Sequence, residues 1–215
     1  ACNFTPNVNE KKFNRLIRQN KSSIDKLFGK NEIDKLQKLD LSVSSNWLSS
    51  DLINDIDLFE KKINQNSSST FFGGYSEIRA VYDSSDYERL TENGFENRTT
   101  HLGLDFWVKE KTSIHAIENG IIKIITNDKT KKGYGGLIII EHKIDDIKYY
   151  SLYGHLENQR KAKIKVGDLV IKGQKIAKIG SIKENGGWSP HLHFQIMLTL
   201  LDYKNDFPGV CLESC

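Results

Sequence analysis

Trp188-Ser189-Pro190-His191-Leu192-His193-Phe194-Gln195-Ile196 is the stretch on which the reading of the fold turns. Its apolar and aromatic positions mark it as a strand. Successive side chains on a strand face opposite ways, so residues two apart share a face. Leu192, Phe194 and Ile196 then point into the core, while His191 and His193 aim two imidazoles at one point on the other face. Both rings can serve one metal site.

A metal needs more ligands than one histidine pair. Upstream, Thr99-Thr100-His101-Leu102-Gly103-Leu104-Asp105 offers an imidazole and a carboxylate four residues apart. On an unbroken strand these would stand roughly 13 Å apart at about 3.3 Å per residue, too far for ligands that each lie about 2 Å from one zinc. A bend at Gly103 removes the difficulty. His101, Asp105 and one of His191 or His193 would then supply three N/O ligands and leave a fourth position for water, as in a catalytic rather than a closed structural zinc site. His155, in Tyr153-Gly154-His155-Leu156, is available as an acid or base. His115 and His142 lie in strand-like runs and read as structural or surface residues.

In order, the chain carries His101-Leu102-Gly103-Leu104-Asp105, Gly133-Tyr134-Gly135, Tyr153-Gly154-His155-Leu156, Val166-Gly167-Asp168, Gly173-Gln174 and His191-Leu192-His193-Phe194. This ordered set, spanning residues 98–197, resembles the lysostaphin-type zinc metallopeptidases, whose members mostly cut cross-bridges or stem peptides of peptidoglycan. The resemblance implies one zinc ion per chain, held by His101, Asp105 and His193, with His155 and His191 as unligated catalytic histidines. It also implies zinc-activated water as the attacking group, with the two histidines handling protons. No His-Glu-x-x-His helix is present to supply a glutamate base.

At 215 residues, 38% hydrophobic and 27% charged, the chain can bury a sizeable core. Its net charge of +3 is spread along the sequence, without a stripe suited to nucleic acid. No apolar run approaches the roughly 20 residues of a membrane-spanning helix. The expected partner is a peptide or peptidoglycan substrate, with oligomeric state open. Cys2, Cys211 and Cys215 lie outside the metal motifs, and their disulfide state is open. The start at Ala1-Cys2 fits a processed or trimmed chain and leaves the compartment open. The peptidoglycan substrate that the resemblance implies makes an extracytoplasmic location, periplasmic, secreted or lipid-anchored, the first expectation.

The organisation changes near residue 70. Apolar residues at spacings of three and four, among them Phe13, Leu16, Ile17, Leu27, Ile33, Leu36, Leu52, Ile56, Phe59 and Ile63, predict a helical N-terminal region with a linker over residues 1–70. Asn46 and Ser50 read as helix starts. Residues 71–215 read as a β domain: short glycine-punctuated strands over 120–126, 136–142 and 148–152 predict a mainly antiparallel sheet or sandwich, the fold that the resemblance also implies. Loops 126–135, 157–163 and 181–189 are expected to set specificity. The helical region reads as a partner-binding element or an inhibitory cap.

Tyr75, Arg79 and Trp188 are expected to line the cleft, with Arg79 gripping a carboxylate bidentately. Together with Tyr82 and the 184–188 and 206–210 segments they resemble a subgroup in which this domain occurs inside larger fusion proteins, which implies a cytoplasmic location instead. Two other functions keep the same motifs: a zinc hydrolase of a different amide or small ligand, and a non-catalytic binding or regulatory module of the same fold.

Overall fold

The computed structural model describes residues 8–20, 24–29, 33, 35–65, 69–82, 85–161 and 163–213. Cys2 and Cys215, and the Ser67-Ser68 part of the expected linker, lie outside them. Among the described residues, three α-helices, α1 Val8–Asn20, α2 Ser50–Asn54 and α3 Ile56–Asn64, accompany fifteen strands. In chain order the strands are β1 Lys35–Lys38, β2 Ser69–Gly73, β3 Glu77–Ile78, β4 Glu88–Thr91, β5 Gly94–Asn97, β6 Thr100–His101, β7 Leu104–Trp107, β8 Ser113–His115, β9 Gly120–Asn127, β10 Gly136–Ile144, β11 Ile147–Leu156, β12 Leu169–Val170, β13 Lys175–Lys178, β14 His191–Met197 and β15 Val210–Cys211. The protein is mainly β, as expected.

Eight strands form one sheet in the order β1-β2-β7-β14-β11-β10-β9-β12. Its neighbours run antiparallel except for the parallel β1–β2 pair. Alternation along the central strands sends Phe106, Ile138, Ile140, Tyr153, Leu192 and Phe194 to one face. There they pack against Ile114, Ile176 and Ala177 of the small β8–β13 sheet, closing the main core. Burial of such side chains is worth roughly 1.5–3 kcal/mol each before entropy is counted. Tyr153 keeps its hydroxyl satisfied within that core by accepting from Ile117 N–H at 3.0 Å.

The N-terminal part is not helical throughout. Leu36 sits in β1, where helical spacing had been expected, because β1 adds to the sheet edge with Leu36 opposite Thr70 and Gln37 opposite Phe71. Trp47 is outside any helix, and α3 is capped instead by Asp55, whose carboxylate accepts from Asp57 and Leu58 N–H groups at 2.9 and 3.0 Å. Phe59 and Ile63 of α3 pack with Leu39, Leu41 and Phe71 against Trp107. Phe71 and Trp107 are cross-strand partners on the sheet face opposite the main core. α3 therefore stands on the face that carries His191 and His193. At the far end, Phe13 of α1 packs against Ile144, Ile147 and Tyr149 around the β10–β11 turn.

Candidate metal centre

Asp105 and His193 are directly opposed on β7 and β14, which puts their side chains on one face at neighbouring positions. His101 comes from a different sheet, the small β15-β6-β3 sheet. The chain turns between β6 and β7 at Leu102-Gly103, the bend that the four-residue spacing requires. Gly103 is needed there for space: a Cβ would lie 2.6 Å from both Cε1 and Nε2 of His193 and 2.9 Å from the Phe194 carbonyl oxygen.

His155 reaches the same face through an irregularity. On β11, Tyr153 pairs with Ile138 and Leu156 with Gly136, so Gly154 and His155 together oppose the single residue Leu137. This β-bulge leaves Tyr153 and Leu156 in the main core and turns both intervening residues to the other side. His155 takes φ 60, a left-handed conformation uncommon for a residue with a Cβ. Gly154, opposite His193, leaves room for the Tyr134 ring, to which a Cβ would come within 2.5 Å.

Three ligand atoms converge. His101 Nε2 lies 2.9 Å from His193 Nδ1, and each lies 3.3 Å from Asp105 Oδ1. All three residues are buried. The opposite ring nitrogens fix the tautomers: His101 Nδ1 donates to the Gly74 carbonyl at 2.8 Å, and His193 Nε2 donates to Gln195 Oε1 at 3.1 Å. Gln195 is held in that orientation by donating its amide to the Pro208 carbonyl at 3.2 Å. In the neutral rings, two bare nitrogen lone pairs thus face each other beside a carboxylate oxygen that has no hydrogen-bond partner. Such an arrangement is repulsive unless a cation sits at its centre. Ligands at about 2.0–2.1 Å from a tetrahedral zinc stand roughly 3.3 Å apart, so the two separations from Asp105 Oδ1 and the N₂O donor set fit that ion, while the two ring nitrogens stand closer, at 2.9 Å.

Contrary to expectation, Arg79 does not grip one carboxylate bidentately but divides its donors between Asp105 and Glu77. Its Nη1 donates to Asp105 Oδ2 at 2.6 Å and its Nε to Glu77 Oε2 at 2.7 Å, with the side chain buried. Burial pulls the Asp105 carboxyl upward, yet His101 and Arg79 together hold it well below the usual carboxylate range. His101 is pushed down to about 4 by burial, reinforced by Arg79 and His193 and opposed by Asp105. Of the two other residues expected in the cleft, Trp188 lines it and Tyr75 does not: Tyr75 is 71% exposed and lies elsewhere.

His191 and His155 flank the centre with ring centroids 4.2 Å apart. His191 Nε2 is 3.8 Å from Asp105 Oδ1, outside the ligand cluster. Each donates Nδ1–H to a backbone carbonyl, His191 to Ser189 at 2.7 Å and His155 to Asn185 at 2.9 Å. That leaves both Nε2 atoms as acceptors. Burial lowers both pKa values, that of His155 well below the ordinary histidine value. The Asn185 loop is itself pinned, since Asn185 Oδ1 accepts from Gly187 and Trp188 N–H groups. His142 is remote from the centre: it hydrogen bonds Ser151 Oγ at 2.6 Å and the Asn119 carbonyl at 2.8 Å, a structural role.

The centre opens into a cavity of about 630 Å³. Loop residues 128 and 130–134 and residues 187–189 line it, whereas none of the described residues from 157 to 163 does. Sequence reasoning missed two walls, one from residues 203 and 206–210 and one from α2 and α3. The helical segment stands beside the cavity and does not fill it.

Residues 99–204 match the family model described as Peptidase family M23. Glycyl-glycine endopeptidase ALE-1 of Staphylococcus capitis is 38% identical over 104 residues, covering 47% of this chain and 25% of that protein. The chain thus spans a quarter of that relative's length. Among solved structures, the catalytic domain of the antimicrobial peptidase lysostaphin from Staphylococcus simulans is 30% identical, covering 54% of this chain and 77% of that one, with a TM-score of 0.39. A zinc containing peptidase from Vibrio cholerae is 26% identical, covering 59% and 36%, also with a TM-score of 0.39.

Proposed function

From the match of residues 99–204 to peptidase family M23, we propose that the protein is a zinc-dependent endopeptidase of that family that hydrolyses peptide bonds in peptidoglycan stem peptides or cross-bridges. The observation that carries this reading is the convergence of two bare imidazole nitrogens and one unpartnered carboxylate oxygen beside two further histidines with free Nε2 acceptors. On this reading the protein acts outside the cytoplasm, where peptidoglycan lies.

His101, Asp105 and His193 would hold the zinc ion, which supplies Lewis acidity and a bound water acidic enough to ionise near neutral pH. The chain's own part is positioning and proton handling. Ser189 and Asn185 hold the His191 and His155 rings with Nε2 toward the centre. One Nε2 accepts the proton of the attacking water, and a protonated imidazole then stabilises negative charge on the scissile carbonyl oxygen and protonates the leaving amine. Burial keeps both rings neutral at rest, the form that can accept. Arg79 offsets the Asp105 charge and fixes Oδ2, so that Oδ1 alone faces the centre.

Incubating zinc-loaded protein with purified peptidoglycan and identifying released fragments by mass spectrometry tests this reading. New amino and carboxyl termini at one defined amide are expected. Intact peptidoglycan after prolonged incubation with fully zinc-loaded protein would contradict it.

A further inference from the structure

The cavity lining has two unlike parts. One is polar and charged, with Arg98, Asp128, Lys132 and Asp206, and Lys132 reaches His155 through Trp188. The other is apolar, built by Leu48, Leu52, Ile53, Ile56 and Phe59, and Phe59 reaches His191 through Trp107. This apolar wall comes from α2, α3 and the residue stretch before them, outside the 99–204 match.

Ring contacts tie the wall to the centre. The Trp107 indole stacks on His191 at 5.7 Å with planes 22° apart, and Phe59 packs on the same indole at 6.3 Å. Trp47 meets Phe59 edge-on at 5.6 Å. The wall is also held firmly in place: Lys62 Nζ donates to the Trp47 carbonyl at 2.6 Å and lies over its ring at 4.3 Å. Yet Ile53, Ile56 and Phe59 stay only partly buried within a concave space that includes His191 and all three ligand residues. Apolar area left open there is gained back when an apolar group of a bound substrate covers it.

We propose that Ile53, Ile56 and Phe59 form a side-chain subsite, so that the preferred substrate carries an aliphatic side chain, alanine or larger, on the His191 side of the scissile bond. The inference rests on the endopeptidase reading and narrows it to side-chain-bearing stem-type peptides over polyglycine bridges. It separates this chain from the relative whose name specifies glycyl-glycine bonds. Polyglycine presents no side chain to cover the wall and loses more backbone freedom on being held extended. A single methylene in an apolar pocket discriminates by about 10–200-fold, so the effect of a larger side chain should be readily measured.

The test is kcat/KM of the zinc-loaded full chain on pentaglycine and on peptides with one glycine replaced, position by position, by alanine or leucine. A leucine-to-glycine ratio above about tenfold at one position next to the cleaved bond is expected. Ile53→Ser and Ile56→Ser are expected to shrink that ratio, while Leu58→Ser, which is 44% exposed and outside the cavity lining, should not. Pentaglycine cleaved as fast as the substituted peptides, or a ratio that all three variants leave alike, overturns the subsite while leaving the peptidase reading intact. Cleavage of no peptide in the series overturns both.

Discussion

Asp105 carries a tightly constrained charge, because one oxygen is taken by Arg79 and the other is aimed at two imidazole lone pairs. Arg79→Met removes the counter-charge while leaving Asp105 buried and Glu77 partly buried. A loss of roughly 3–5 kcal/mol is expected for a broken buried pair, read from urea unfolding of the metal-free protein. A change below about 1 kcal/mol would show that Arg79 is dispensable. The histidines give a pH signature. His101 has a folded-state pKa of about 4 against an unfolded value near 6.5, and burial lowers those of His142, His155 and His191 as well. A depressed folded pKa means that the unfolded chain binds more protons in this window, so stability falls as pH drops from about 6.5 toward 4. His101 alone should cost roughly 2 kcal/mol between pH 7.5 and pH 5. Unfolding midpoints of metal-free protein that do not move over that range would contradict the burial of neutral rings.

At the level of elements, the ligand face follows from alternation on β14 and from the turn between β6 and β7, which is why His101, Asp105 and one of His191 or His193 were legible from spacing once the bend at Gly103 was allowed. Only the family resemblance singled out His193. His155 was different. Strict alternation from Tyr153 would send it into the main core, and only the bulge opposite Leu137 turns it toward His191; no local spacing in Tyr153-Gly154-His155-Leu156 announces a bulge. Arg79 was legible as a carboxylate partner, but its partner lies 26 residues along the chain, so sequence could not tell a substrate from Asp105. Two glycine substitutions test this packing. Gly103→Ala would press on the His193 ring, and zinc affinity measured by chelator competition should fall about 10–100-fold, as when a group orienting a ligand is lost. Gly154→Ala would push on Tyr134, whose ring lies 5.7 Å from that of His155 and 5.3 Å from that of His193. It should lower peptide cleavage by tenfold or more while zinc content stays near one. Equal zinc affinity in Gly103→Ala and wild type would mean that the ring has room to shift.

Across the whole molecule, the N-terminal segment and the sheet are one structure. Helical periodicity located α1, α2 and α3 approximately, but it could not show that β1 joins the sheet edge or that α3 stands on Trp107, since both depend on partners that lie far along the chain. Deleting residues 1–64 removes β1 and strips Phe59 and Ile63 from Trp107. The expected result is a lower thermal midpoint and red-shifted tryptophan emission. An unchanged midpoint would show that the sheet closes without them.

Zinc content and peptide cleavage, measured side by side on wild type, His193→Ala and His191→Ala, address the central claim most directly. The arrangement of lone pairs predicts that wild type binds one zinc and cleaves a defined amide, that His193→Ala loses both, and that His191→Ala keeps its zinc while cleavage drops by about 10²–10⁴-fold. Zinc retained in His193→Ala, or full cleavage by His191→Ala, would contradict the division between ligand and proton carrier on which the account rests.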